Sequence, residues 1–287
     1  MAGATLASAA NTVRAEDTRI GQASCEELGQ LVASCWLERR SIPLIDESLS
    51  MEKALCARDK FLSLIQPLLG APLGYKVAAI TPPAQRDLGI KEPLGGTYLA
   101  GMFSFESSAP VPVSYGNRPI VEAKLMVAVR DDAINDAKTI EDAAKHIAYI
   151  LPSIELGDSL ADIGQKLTAP ILMLYNVGAR AAILGRPIAF DGSEKAVRAL
   201  NSLVVTTTDS STGRHIDSQS ASAMMGGPLN AVLWLVRDLH IRGVRLRAGD
   251  RLGLGALSRV RPTPGLLLET RWEGLTETPT VVKALFE

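Results

Sequence analysis

Aromatic residues are scarce in this chain, and so are histidine and cysteine. Only 5% of its 287 residues are aromatic, and it carries three histidines and three cysteines. His146, His215 and His240 stand far apart and match no zinc spacing, so each reads as structural or solvated. Cys25, Cys35 and Cys56 are odd in number and form no C-x-x-C pair. Cys25 and Cys35 fall on one predicted helix, about 15 Å apart at 1.5 Å per residue, too far for a disulfide within it. Free buried thiols in a reducing compartment are the expectation. No apolar run approaches the ~20 residues needed to span a bilayer. Charge of one sign is also lacking: 30 Lys+Arg against 31 Asp+Glu gives a net −1, without the basic field of a nucleic-acid binder. There is no G-x-S-x-G nucleophile elbow. Gly253-x-Gly255-x-x-Ser258 opens no helix, so a dinucleotide site has no support either.

What is present is an ordinary globular composition, 47% hydrophobic, with enough apolar residues for a full core. The first 20 residues are small, polar and unpatterned, and a disordered segment is expected there. Their A-S-A-A run resembles the end of a secretory signal but follows no apolar stretch. A cytoplasmic chain is expected, with an exported and trimmed one as the alternative. Residues 24–40 space Leu28, Leu31, Val32, Cys35 and Trp36 as a helix. A second helix starts after Ser50, with Met51, Leu55, Leu62 and Ile65 on its stripe, and closes at Gly70 and Pro72. Residues 21–73 thus read as a small helical domain.

From residue 74 the character changes, and 74–287 reads as the catalytic core. Residues 94–102 read as a glycine-rich loop and 111–113 as an edge strand. Thr139-x-x-Asp142 opens a helix carrying Ile140, Ala144, Ile147 and Ile150 inward, ended by Pro152. Residues 169–185 read as a buried strand or turn passage containing Asn176. Residues 202–208 alternate as a strand and turn at Ser211, Thr212 and Gly213. Residues 228–241 form the clearest helix, with Pro228 at its first position and Gly243 past its end. Residues 251–257, 265–270 and 280–286 are closing strands. Helices first and many strands after argue for an α+β, largely β, architecture.

The most informative stretch is 120–130. Val121, Ala123, Leu125, Val127 and Val129 alternate with Glu122, Lys124, Met126 and Ala128, the mark of a strand with two unlike faces. Glu122 and Lys124 share one face, roughly 6.5–7 Å apart. Ionisable groups in an apolar strand are costly to bury unless paired. This face reads as the floor of a polar site, with Glu155 of the L-P-S-I-E-L run as the third member.

Six runs occur in order: G-Y-K-V-A at 74–78, L-G-G-T-Y-L-A-G-M at 94–102, V-E-A-K at 121–124, L-P-S-I-E at 151–155, G-G-P-L-N-A-V-L-W-L at 226–235 and G-L-G-A-L at 253–257. Together they resemble the 2-oxopent-4-enoate hydratase and 4-oxalocrotonate decarboxylase branch of the fumarylacetoacetate hydrolase superfamily. The resemblance implies a β-rich core with a helical amino-terminal part. It implies a lyase or isomerase acting on a small 2-oxo or enol acid, as in the catabolism of aromatic compounds. It also implies Mg²⁺ or Mn²⁺ on three carboxylates, and a homo-oligomer or a pairing with a homologous subunit. Carried over by position, Glu122 and Glu155 match two metal ligands and Lys76 a lysine near the substrate. Leu94, Gly96, Gly227, Leu254 and Gly255 fall in these runs, and together with Asn176 of the 169–185 passage they are expected to line the substrate.

Four positions depart from that pattern. Lys124 replaces the second metal ligand, and Leu94, Gly227 and Leu254 replace an Asp, a His and a Thr. Three carboxylates with one divalent cation carry a local charge of −1, as do two carboxylates with one ammonium. The expectation is therefore a site without a metal, Lys124 paired to Glu122 and Glu155, with Lys124 and Lys76 as electrophiles and a Glu as proton carrier. Three alternatives stand beside it: Lys124 reaching solvent, a non-catalytic binding or assembly subunit, and a Mg²⁺ or Mn²⁺ enzyme on Glu122 and Glu155 completed by Asp158 or Glu106.

Overall fold

The computed structural model describes residues 20, 23–103 and 105–287. Most of the expected disordered segment, and the residues resembling a signal, lie outside the described residues. Two helices come first, α1 (Cys25–Glu38) and α2 (Met51–Leu69). Ser24 caps α1 through a capping box with Glu27, and the Ser50 hydroxyl accepts from the Lys53 amide at the start of α2. Cys25 and Cys56 are joined by a disulfide across these two helices, their Cα atoms 5.7 Å apart. This corrects the expectation of free thiols for two of the three cysteines. The within-helix distance was the wrong one to measure, because α2 packs alongside α1. Cys35 is free and buried.

The rest of the described chain builds two mixed sheets. The larger contains β1 (Pro72–Ala78), β2 (Leu94–Leu99), β4 (Pro119–Val129), β5 (Ile147–Asp158), β6 (Ala181–Leu184), β7 (Ile188–Ala189) and β10 (Arg251–Val260). Its order is β2-β1-β10-β4-β5-β6, with β7 also pairing β5. The smaller sheet runs β3 (Pro110–Val111), β12 (Thr280–Phe286), β11 (Leu267–Glu273), β8 (Val204–Asp209) and β9 (Arg214–Ser220). Helices α3 (Pro82–Leu88), α4 (Ile140–Lys145), α5 (Ala169–Leu174), α6 (Glu194–Ser202) and α7 (Pro228–Ile241) complete the architecture. This is the expected α+β class. Among the described residues no helix is long and apolar enough to cross a membrane.

The alternation of β4 sets the layering. Val121, Ala123, Leu125, Val127 and Val129 enter the main core with Leu229, Val232 and Leu235 of α7 and Trp272 and Phe286 of the smaller sheet. Met126 enters a second core with Leu28, Val32, Phe61 and Ile65 of α1 and α2, Tyr98 and Leu151. Glu122 and Lys124 share the face of Met126. They therefore lie on the helix-covered side, inside the molecule rather than at its surface.

Several local expectations are corrected. Residues 94–99 are a fully buried strand, not a loop, because every residue from Leu94 to Leu99 packs into the sheet. Helix α4 stops at Lys145 and the chain enters β5 at Ile147, with Pro152 inside that strand. The pairing of β5 along the whole of β4 outweighs the helical spacing of Ile147 and Ile150. Pro152 is tolerated because it falls between the stretches that pair β6 and β7. Residues 169–185 resolve into α5, a 3-10 turn at Asn176–Gly178 and β6. Helices α3 and α6 were not anticipated.

Candidate active site

Glu122 and Glu155 stand directly opposite each other in the β4–β5 ladder, and Lys124 stands opposite Ser153. Two carboxylates at opposed positions repel unless a cation lies between them. Lys124 provides one by leaning diagonally across the ladder. Its Nζ contacts Glu155 Oε2 and lies 3.5 Å from Glu122 Oε2. Its backbone carbonyl accepts from the Ser153 hydroxyl, which anchors the strand beneath it. Lys76, two strands away on β1, contacts Glu155 Oε1 and donates to the Val177 carbonyl at 3.2 Å. Arg259 of β10 pairs in register with Glu122. Its Nε and Nη2 both donate to Glu122 Oε1, at 2.8 and 2.6 Å. Every oxygen of the two carboxylates thus faces a protein cation.

The backbone explains how these groups meet. The register of β10 on β4 shifts twice between Gly253 and Ser258, around Gly255 at φ +119°. Such bulges re-aim the strand and bring Arg259 opposite Glu122. Gly253 faces Lys76 and Lys124, and a Cβ there would lie 3.3 Å from Lys76 Cβ and 3.5 Å from Lys124 Cδ. The missing side chain leaves both lysines room to converge on Glu155. Asn176 and Val177 adopt left-handed backbone, φ 56° and 46°, uncommon for any side chain and strained for a β-branched one. The Asn176 amide holds this turn by bonding both the N–H and the carbonyl of Thr97, at 2.8 and 2.7 Å. The result is the Val177 carbonyl aimed at Lys76.

Burial is nearly complete: Lys76, Lys124 and Glu155 are 3%, 1% and 0% exposed, and Glu122 is 8% exposed. The alternative in which Lys124 reaches solvent is therefore not what the fold does. Burial opposes ionisation of Glu155, yet Lys124 and Lys76 outweigh it and hold its pKa down at about 2. The two lysines are driven apart. Burial lowers Lys76, more than Glu155 restores. Burial also works against Lys124, but Glu155 and Glu122 together raise it. Tyr98 lies behind them, fully buried, its hydroxyl without a well-formed hydrogen bond. Burial and the adjacent Glu155 charge push its phenol well above the ordinary range.

The cluster opens into a cavity of about 690 Å³ between the large sheet, α3, α5 and β9. Of the six positions expected to line substrate, Gly255 lies on the wall of this cavity and the other five do not. Leu94 packs with Met173 and Val177, and Leu254 lies in the main core. Gly96 approaches Val177, where a Cβ would come within 2.5 Å of Val177 Cγ2. Asn176 holds its turn, and Gly227 precedes α7 at the start of that helix. Arg259 was missed. The only signal was its place two residues beyond the G-L-G-A-L run, and the bulge at Gly255 upset the alternation that would have assigned it a face.

A divalent cation does not fit this donor set. It would meet three positive side chains on two carboxylates already taken. Among the described residues no cluster of three or more His, Cys, Asp or Glu side chains could hold a metal ion. Asp158 cannot complete one, since its carboxylate accepts from Arg180 Nη1 at 2.9 Å and from the Asn117 and Arg118 amides at 3.1 and 2.8 Å. Glu106 is exposed and outside the cavity. The expected local charge also needs correcting. Counting Lys76 and Arg259 with Lys124 gives three cations against two carboxylates, a surplus of one positive charge.

No family model matches the chain. A 2-keto-4-pentenoate hydratase from Paraburkholderia xenovorans (strain LB400) is 28% identical over 211 residues, 72% of this chain and 75% of its own length. The 2-keto-4-pentenoate hydratase 2 of Dechloromonas aromatica (strain RCB) is 28% identical over 220 residues, 75% of this chain and 78% of its own. Among solved structures, 4-oxalocrotonate decarboxylase from Pseudomonas putida G7, complexed with magnesium and adipate, superposes with a TM-score of 0.79 at 18% identity, over 92% of this chain and 97% of that one. Fumarylpyruvate hydrolase from Pseudomonas aeruginosa, in complex with Mn²⁺ and pyruvate, gives 0.53 at 15% identity over 76% and 90%. At these identities the structural likenesses speak for the fold.

Proposed function

Because the chain belongs to the fumarylacetoacetate hydrolase superfamily, in its hydratase and decarboxylase branch, we propose that it is a lyase acting on a small 2-oxo or enol carboxylic acid. We propose further that it works with side-chain ammonium groups at the position where a divalent ion is expected. The observation that carries this reading is the occupation of all four carboxylate oxygens of Glu122 and Glu155 by Lys76, Lys124 and Arg259. Hydration and decarboxylation of 2-oxo acids share a demand: negative charge gathers on the C2 oxygen as an enolate forms. A fixed cation aimed at that oxygen stabilises it, and one such preorganised donor is worth roughly 3–4 kcal/mol.

Lys124 suits the fixed role, since Glu155 and Glu122 keep it protonated. The same effect disfavours its use as a Schiff-base nucleophile. Lys76 suits proton exchange, because burial lowers its pKa. Environments that drive two like groups apart mark a division between fixed charge and proton carrier. Glu155, held near 2, is a poor base, so the carrier role passes from a Glu to Lys76. In the enol-to-keto exchange the enol hydroxyl gives up one proton and a carbon of the dienol gains one, so Lys76 ends each cycle in its starting state.

The test is a panel of short dienoates and 2-oxo acids assayed for hydration, decarboxylation and enol–keto exchange, with chelator and with Mg²⁺. Turnover that survives chelator and disappears in Lys124→Ala supports the reading. Turnover that needs added metal removes the metal-free part. A silent panel removes the lyase.

A further inference from the structure

The cavity beyond the cluster has a charge pattern of its own. All of its lysines and arginines, Lys76, Lys124 and Arg259, sit at the carboxylate pair. The remaining charged residues on its wall are Asp87, Asp158 and Asp217. Asp158 is neutralised by Arg180. Asp217 is half-buried and accepts only from neutral donors, the Ser218 amide at 2.8 Å and Gln219 Nε2 at 3.1 Å. Among the described residues neither Asp217 nor Asp87 forms an ion pair. Between them the wall is apolar, with Ile80, Leu88, Leu167, Leu172 and Leu257. Arg259 has both of its bonded nitrogens on one oxygen of Glu122, and its side chain is 69% exposed. Its Nη1 is uncommitted among the described residues and is the most accessible cation of the cluster.

We propose that this site selects a 2-oxo acid with a single carboxylate and an uncharged tail, with Arg259 anchoring that carboxylate and Asp217 turning a second one away. The inference rests on the reading of the site as one for 2-oxo acids. The surplus of one positive charge at the cluster matches one carboxylate. A second carboxylate on the tail would lie along apolar wall, meet no free cation, and approach Asp217 and Asp87. Unpaired like charge in a partly desolvated site costs several kcal/mol. Discrimination against the diacid of roughly 100-fold follows. This separates the chain from the decarboxylase of similar fold, whose complex holds adipate, a diacid.

Binding of two unreactive 2-oxo acids, 2-oxopentanoate and its ω-carboxylate counterpart 2-oxohexanedioate, tests the proposal by titration calorimetry on the full chain. The monoacid is expected to bind about 100-fold more tightly. Asp217→Asn is expected to narrow that ratio about tenfold by admitting the diacid, and Arg259→Gln to weaken the monoacid at least tenfold. Unchanged near-ultraviolet circular dichroism serves as the folding check on both variants. Equal or tighter binding of the diacid overturns the proposal, as does an unchanged ratio in folded Asp217→Asn. Failure of both acids to bind up to roughly 10 mM overturns it too. Since titration needs no turnover, a clear preference with a silent lyase panel would remove only the lyase. Turnover with a diacid preference would remove only the selectivity.

Discussion

Replacing Lys124 by Glu exchanges an internal cation for a third carboxylate, and the consequence can be sized from the geometry. Lys124 Nζ lies 3.5 Å from Glu122 Oε2 and in contact with Glu155. At an effective dielectric of about 20, unit charges 3.5 Å apart interact by about 5 kcal/mol. In Lys124→Glu that attraction becomes repulsion of similar size, against which Lys76 and Arg259 remain. Proton uptake by one carboxylate caps the penalty, so a net loss of roughly 3–5 kcal/mol is expected. Unfolding entropy of about 2.1 cal/mol/K per residue gives about 0.6 kcal/mol/K for the chain, hence a fall in Tm of roughly 5–8 °C in chelator. Three carboxylates now converge, so Mn²⁺ at 100 times its Kd would restore about 2.7 kcal/mol, or roughly 4 °C. Scanning fluorimetry of both proteins, with chelator and with Mn²⁺, reads these shifts. The wild type should be indifferent to the metal. A wild type stabilised by Mn²⁺, or a folded Lys124→Glu blind to it, would refute the exchange of ammonium for metal.

Two further outcomes follow from the same charges. Glu155 is held at about 2 in the fold against a reference of 4.5. Its contribution is therefore complete above pH 4.5 and lost as pH falls toward 2, on the order of 3 kcal/mol. Denaturant titrations at pH 6 and pH 3 should show this acid limb, and in Glu155→Gln it should flatten; equal slopes in both proteins would contradict the pairing. Asp158→Asn should lower stability by roughly 2–4 kcal/mol, because Arg180 is 8% exposed and loses its only carboxylate among the described residues. Inductively coupled plasma analysis should find the same metal content with and without that change, whereas metal lost with Asp158 would restore it as a ligand.

How much of this was legible in the sequence depends on which rule governs each segment. β4 announced itself because both of its faces are specified, one by five β-prone or small apolar residues and the other by Glu122 and Lys124. α7 did so because Pro228 and Gly243 bracket a clean apolar stripe. β5 did not, because Ile147, Ile150 and Ile154 satisfy a helical spacing as well as a strand one, and only the ladder with β4 decides between them. The sheet's inner strand at 94–99 was hidden by its glycines. Gly96 marks a close backbone approach to Val177 rather than a flexible loop. Cys25 and Cys56 meet across two helices, a tertiary fact that spacing along one helix does not contain.

The site was legible in part for the same reasons. Glu122 and Lys124 could be placed together from the period of one strand, and Glu155 joins them because two strands in register pair it with Glu122. Lys76 came through the resemblance, since no local pattern ties β1 to β5, with β10 and β4 between them. Arg259 needed the bulge at Gly255, which breaks the two-residue rule that put Glu122 and Lys124 on one face. Counting Lys124 alone, without Lys76 and Arg259, reversed the sign of the local charge. With one ammonium the pair of carboxylates is left at −1, a site that attracts another cation. With Lys76 and Arg259 included it stands at +1 and attracts an anion. The surplus positive charge thus turns on a residue displaced by a bulge, and Arg259→Gln, which brings the count to neutral, should weaken carboxylate binding without making the site a metal site.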